Sequence, residues 1–151
     1  MVTQHEQLDE RFDALRPFVL AAARPPRGWV RAIRQALGMT TGQLAKRLGV
    51  HQPRIIELER GEASGNITVQ SLERAAQAMG CRLVYAIIPE KQLADTLREK
   101  ASAMADQQLV SVDQTMRLEA QGAANKTGQR ETRQRLVEEL LRRPARLWDE
   151  S

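Results

Sequence analysis

The chain has 151 residues, enough for one ordinary domain or a compact core with helical extensions. Hydrophobic residues make up 42% and aromatic residues only 3%, and this scarcity of rings argues against modules that stack single-stranded bases on exposed aromatic side chains. The single cysteine, Cys81, excludes an intramolecular disulfide and a multi-cysteine zinc site. No apolar run approaches the roughly 20 residues of a membrane span, and the acidic N-terminus is no secretory signal, so we expect a mainly α-helical, cytoplasmic protein.

The net charge of +4 is unevenly distributed. Residues 24–60 contain eight basic and two acidic side chains, whereas the rest of the chain has slightly more acidic than basic groups. Such a basic window is typical of a surface that contacts phosphates. A solvated helix face explains the same charges equally well. The spacing of the residues is therefore needed to distinguish a phosphate-binding surface from a solvated one.

The first predicted element is an N-terminal helix within residues 1–23. Its apolar residues recur at steps of three and four, as on one face of an amphipathic helix, and Pro17 is expected to kink or split it. Residues 24–28, Arg-Pro-Pro-Arg-Gly, read as a short stiff linker. A second helix is predicted from 29 to 37, followed by Gly38. Its inward residues are predicted to be Val30, Ile33 and Leu37.

Two short helices with a tight turn between them come next. Thr40 or Thr41 is the predicted N-cap of the first, and Gly49 ends it in a conformation with positive φ. The second helix is predicted to start at His51 or Gln52 and to close at Gly61. The inward residues are Leu44, Ala45, Leu48, Ile55 and Leu58. This pattern is the helix-turn-helix signature.

A loop over 62–68 and a helix over 69–79 are predicted after it, and then the period changes from helical to alternating. Residues 81–89 are β-branched and apolar and end at Pro89, which favours a strand. Because a lone strand leaves its backbone unpaired, we expect it to pair with the same strand of a second copy in a homodimer. The pairing residues are Leu83, Val84, Tyr85, Ala86 and Ile87.

Residues 90–151 are predicted to form a C-terminal helical region. Amphipathic patterns span 91–104, 108–121 and 130–143, with a break over 122–128.

The segment from Gly42 to Gly61 resembles the Xre and phage-repressor family of helix-turn-helix regulators. The shared features are Leu-Ala, Leu-Gly-Val, an inward Ile and Glu-Arg-Gly. The resemblance covers 29–80 and implies a lambda-repressor-like DNA-binding domain whose second short helix enters the major groove of operator DNA. The implied base-reading positions are His51, Gln52, Pro53, Arg54 and Glu57. The phosphate contacts are predicted at Thr40, Thr41, Lys46, Arg47 and Arg60.

Alternatives stay open for three of these residues. Arg54 fits an ordinary phosphate contact as well as a guanine reader, and Glu57 fits a surface ion pair with Arg60 or Lys46. His51 is better read as a helix cap than as a metal ligand.

No residue pattern in the chain indicates a catalytic site. Its two histidines, His5 and His51, lack the spacing of metal ligands, and no nucleophile has an evident base beside it. No glycine loop cradles a phosphate group. We therefore expect no catalytic activity, metal or cofactor.

The whole chain is also similar to the mobile mystery protein A family. The likeness is carried by Leu15-Arg16-Pro17, by residues 26–34 (Pro-Arg-Gly-Trp-Val-Arg-Ala-Ile-Arg) and by the block from Met39 to Arg60. That family is typically encoded beside a Fic-domain protein, a fold that commonly transfers AMP. The resemblance implies an autoregulating antitoxin that represses its operon and restrains a Fic toxin.

Many Fic inhibitors carry Ser/Thr-x-x-x-Glu followed by Gly or Asn, and Thr115 and Glu119 fit the first half of this motif. Ala120 stands at the last position, which favours an ordinary helix face. Two hypotheses follow: a regulator that is also an antitoxin, and a stand-alone regulator whose C-terminal helices serve dimerisation or effector binding.

Overall fold

This computed structural model describes residues 1–117 and 126–149, with side chains described through Ser111 and again from Lys126. The described part is mainly α-helical, as predicted, and its helices group into two compact units, residues 17–87 and residues 1–16 with the chain from Ile88 onward. The α-helices are α1 (Gln4–Leu15), α2 (Trp29–Ala36), α3 (Thr41–Leu48), α4 (Gln52–Ser64), α5 (Val69–Ala78), α6 (Leu93–Arg117) and α7 (Lys126–Arg142). Short 3₁₀ helices span Arg16–Phe18 and Pro144–Trp148. The first of these confirms that Pro17 interrupts the N-terminal helix.

The unit of residues 17–87 packs α2, α3, α4 and α5 around one aliphatic core. Leu44 and Ile55 are completely buried there, and Ala45 lets α4 approach α3 closely. The other buried members are Val30, Ala75 and Met79. Leu37 does not join this core: its side chain is exposed, because α2 ends at Ala36 and Gly38 redirects the chain.

The turn between α3 and α4 follows the prediction. Thr40 is the N-cap of α3 and forms a capping box with Gln43, so two backbone donors at the helix start are satisfied. Gly49 ends the helix in the left-handed conformation, with φ of 68°. This confirms the predicted reason for a glycine there.

The prediction that Gly61 closes α4 is wrong. The helix continues to Ser64 and ends at Gly65, which takes the left-handed conformation. Gly61 is instead required for close approach, since a Cβ at this position would lie 2.7 Å from the carbonyl oxygen of Asn66. The loop predicted from residue 62 therefore begins one helical turn later.

The strand predicted over 81–89 is absent from the described residues. No backbone hydrogen bond joins residues 82–88 to another described residue, and a β-strand requires such a neighbour. Three apolar side chains of this segment are instead exposed: Val84 (80%), Tyr85 (72%) and Ile87 (87%). Ala86 is exposed too, whereas Leu83 is half-buried.

The other unit combines α1, α6, α7 and the last 3₁₀ helix. The carboxylate of Asp9 in α1 accepts hydrogen bonds from the backbone N–H groups of Leu93 (2.7 Å) and Ala94 (3.1 Å), so it caps the start of α6. Burial alone would raise the pKa of Asp9, but these two donors outweigh it and hold the pKa below its ordinary value.

Alanines set the packing of α6 against α7. Ala101 and Ala105 are fully buried one turn apart, and they pack with Val137, Leu140 and Leu147. Two helices were predicted within 91–121, but α6 runs unbroken through 105–107, because Ala105 belongs to its buried stripe. None of the helices described is both long and apolar enough to cross a bilayer.

Candidate nucleic-acid interface

The residues predicted to read bases lie together at the start of α4, where the backbone bends out of the α3–α4 turn. Pro53 occupies the first turn of the helix, where a missing N–H leaves no intrahelical bond unmade. His51 is at the N-cap position, but its ring makes no capping hydrogen bond. All five predicted base-reading residues are exposed: His51, Gln52, Pro53, Arg54 and Glu57.

A side-chain hydrogen bond joins the starts of α3 and α4. The Gln52 amide nitrogen donates to the Thr41 hydroxyl at 2.8 Å. This bond restrains the Gln52 amide and leaves its carbonyl oxygen and second N–H without a partner among the described residues. These are the two groups that a glutamine uses to bind an adenine edge.

Arg54 and Glu57 form an ion pair one turn further along α4, with Nη1 and Oε2 3.4 Å apart. Glu57 thus pairs with Arg54 rather than with Arg60 or Lys46. Both side chains remain about two-thirds exposed (65% and 69%). The pair is therefore weak and leaves both groups open to an incoming ligand.

The five predicted phosphate-contact residues do not form a single cluster. Thr40 and Thr41 lie at the start of α3, where its N–H groups favour an anion, and Lys46 is exposed near its end. Arg47 has a different role, since its guanidinium donates to the carbonyl of Ala78 at the end of α5 (3.3 Å). Arg60 is exposed on the second half of α4.

Sequence reasoning missed the polar contacts that hold α4 in place. Arg34 and Glu59 form a buried ion pair at 2.5 Å, with side chains only 10% and 9% exposed. Arg34 also donates to the carbonyl of Met39 at 2.9 Å. The signal was present in the spacing, because Glu59 follows the inward Ile55 by four residues and thus lies on the buried stripe.

Glu62, one turn later on the same stripe, caps the neighbouring helix. Its carboxylate accepts from the backbone N–H groups of Trp29 (2.8 Å) and Val30 (2.9 Å) at the start of α2. Arg24 in turn donates to the backbone carbonyls of Glu62 and Ala63. Arg24 and Arg34 thus belong to the frame of the domain, although both were counted in the basic window.

Together these contacts make α2 a support for α4, leaving the first turns of α4 exposed. Among known protein families, residues 30–85 match the family described as helix-turn-helix. These residues are an Xre-type helix-turn-helix domain. Such domains bind DNA and are generally not enzymes. Comparison with the curated proteins and with the solved structures found no match.

Proposed function

We propose that the protein is a cytoplasmic, sequence-specific transcriptional repressor that places α4, here called the recognition helix, in the major groove of operator DNA. The observation that carries this proposal is the set of exposed polar side chains on the first turns of α4, on a helix whose opposite face is held by a buried ion pair and by the cap that Glu62 forms on α2. A rigid frame that presents exposed, weakly paired polar side chains suits direct readout of base edges.

Three residues have distinct roles in this proposal. Gln52, restrained by Thr41, pairs with the N6 and N7 atoms of adenine. Arg54 leaves its weak pair with Glu57 to bind the O6 and N7 atoms of guanine, and Glu57 is then free to accept from cytosine N4. Lys46 contacts a phosphate and fixes the register without reading sequence.

The test compares Arg54→Ala with Lys46→Ala on a duplex from the protein's own promoter and on a scrambled duplex. Arg54→Ala is expected to lose affinity only for the promoter duplex, by about 1–3 kcal/mol. Lys46→Ala is expected to weaken both equally and to flatten the salt dependence by about one unit. Equal losses on both duplexes for Arg54→Ala would refute its reading role.

We also propose that the regulator acts as a homodimer that pairs residues 81–88 of two copies. The support is that this segment exposes Val84, Tyr85 and Ile87 and that the backbone of residues 82–88 has no partner among the described residues. Pairing with a second copy satisfies both the apolar side chains and the amide groups. A dimer would also match the two half-sites of a palindromic operator, about 34–36 Å apart.

Sedimentation of the wild type and of Ile87→Lys tests this dimer. The wild type is expected to sediment as a dimer and the variant as a monomer, with the domain still folded because Ile87 is exposed. Leu37→Lys, another exposed apolar position, is the matched control. A monomeric wild type contradicts the proposal.

We further propose that the protein is an antitoxin that inhibits a Fic-type AMP transferase. The support is the resemblance to the mobile mystery protein A family, together with a second helical unit that has its own core. Thr115 lies in α6, but its side chain and all of Glu119 fall outside the described residues. Adenylylation by the neighbouring Fic protein, measured with the wild type and with Glu119→Gln, tests the role. Inhibition by the wild type alone supports Glu119, inhibition by both places the contact elsewhere, and no inhibition leaves the stand-alone regulator.

A further inference from the structure

Three arginines line one cavity beside the recognition helix. The cavity has a volume of about 270 Å³ and lies between the start of α2 and the second half of α4. Arg27 and Arg31 come from the α2 side and Arg60 from α4, while Ile56 and Ala63 supply apolar walls. Arg27 and Arg31 also line an adjoining cavity of about 280 Å³.

The positive charge of this cavity is not neutralised by the residues described. Glu59 is the one acidic residue in its lining, and both of its carboxylate oxygens are bound by Arg34, at 2.5 and 3.2 Å. No hydrogen bond or ion pair joins the side chain of Arg27, Arg31 or Arg60 to another described residue. The lining therefore presents three unpaired guanidinium groups.

Arg31 also has a donor that lacks an acceptor. Its Nε atom is shielded from solvent and makes no hydrogen bond, although the side chain as a whole is only half-buried. A buried donor without a partner is costly. An anion with two oxygens matches the guanidinium fork and removes that cost with a small movement of the side chain.

We propose that this arginine pocket binds a phosphate group of the DNA backbone, at a locus separate from the start of α3. The proposal rests on the proposed function, because α4 brings the pocket to the duplex. Arg60 follows Gln52 by eight residues, about 12 Å along the helix axis, a distance close to the roughly 12 Å width of the major groove. When the start of α4 is at the base edges, this rise brings Arg60 to the groove rim, together with Arg27 and Arg31 of the same cavity.

The experiment measures binding of the full chain to the promoter duplex and to a scrambled duplex over a range of salt concentrations. Arg31→Gln is expected to weaken both about threefold to tenfold and to reduce the slope of log K against log salt by about one. Arg31→Lys keeps the charge and is expected to keep the slope while losing part of the affinity, because the fork is absent. Arg135→Gln makes the same change of charge on exposed α7 and is the matched control.

Arg27→Gln, at an exposed residue, repeats the measurement should Arg31→Gln fail to fold. An unchanged slope in the Arg27 and Arg31 variants overturns the proposal while leaving the recognition helix intact. Failure of the wild type to bind either duplex overturns the proposed function itself. A second measurement follows the NMR resonance of the Arg31 Nε–H during titration with inorganic phosphate and with duplex DNA. A shift with millimolar phosphate but not with the duplex identifies a site for a free anion and contradicts a contact to the DNA backbone.

Discussion

The two units of the molecule fix their helices with different chemistry. In the DNA-binding domain, α2 and α4 are joined by a buried ion pair, Arg34 with Glu59. In the other unit, α6 and α7 are joined by Arg133 and Asp106, whose side chains are 41% and 56% exposed, and by close contact at alanines.

The two ion pairs differ more in how closely they fix the positions of their helices than in how much they stabilise them. A buried charge that loses its partner is costly, because no water solvates it in the interior. The two side chains of a buried pair are therefore held in one arrangement. An exposed pair is solvated in either state, although the guanidinium of Arg133 does hold the pKa of Asp106 below its usual value. The unit that contains the helix-turn-helix is the one with the buried pair.

Breaking the buried pair is expected to have the largest effect. Glu59→Ala leaves Arg34 buried without a counter-ion and is expected to lower the free energy of unfolding by about 3–5 kcal/mol. Trp29 lies in this unit and Trp148 in the other, so urea unfolding followed by fluorescence in a Trp148→Phe background measures the change.

The comparison is sharpened by two further variants. The double variant Arg34→Met with Glu59→Leu is expected to recover most of the lost stability, because no charge is left unpaired. Asp106→Asn removes the exposed pair and is expected to change stability far less. A loss for Asp106→Asn as large as that for Glu59→Ala would contradict the distinction between the two units.

Overpacking the alanine contact is expected to have an intermediate effect. Ala105 is fully buried, so Ala105→Leu forces α6 away from its neighbours and is expected to cost about 1–3 kcal/mol. Trp148 fluorescence, in a Trp29→Phe background, reports this unit. Ala103→Leu adds the same side chain at an exposed position of α6, and an equal loss there would argue against packing as the cause.

The smallest effect is expected at Asp9, and it disappears in acid. Its pKa is depressed in the folded chain, whereas the unfolded value is about 3.9. The stabilisation is therefore complete above about pH 4 and is lost as the pH falls through the folded pKa. Unfolding of the wild type and of Asp9→Asn between pH 2 and 7 should show two curves that converge in acid, whereas a constant difference would exclude the ionised carboxylate as the cap.

Local patterns were enough for much of the DNA-binding domain. The N-cap at Thr40 and the positive φ of Gly49 depend on a few neighbouring residues. The sequence predicted the glycine conformation, and it predicted the cap at Thr40 or Thr41. Gly61 was misjudged because its reason for being glycine is the carbonyl of Asn66 across a turn. Residues 81–88 have the composition of a β-strand, but the described residues of one chain contain no neighbouring strand that hydrogen-bonds to their backbone.

The sequence by itself determined the helical class, the helix-turn-helix and the exposed residues at the start of α4, because periodicity and capping act within a few residues. Only the tertiary structure decided which charges face solvent. Arg34 and Glu59 are paired inside and Arg47 is turned toward α5, whereas Arg31 lies with a shielded, unpaired donor in a cavity. Such pairings join residues far apart in the chain, and local patterns do not encode them.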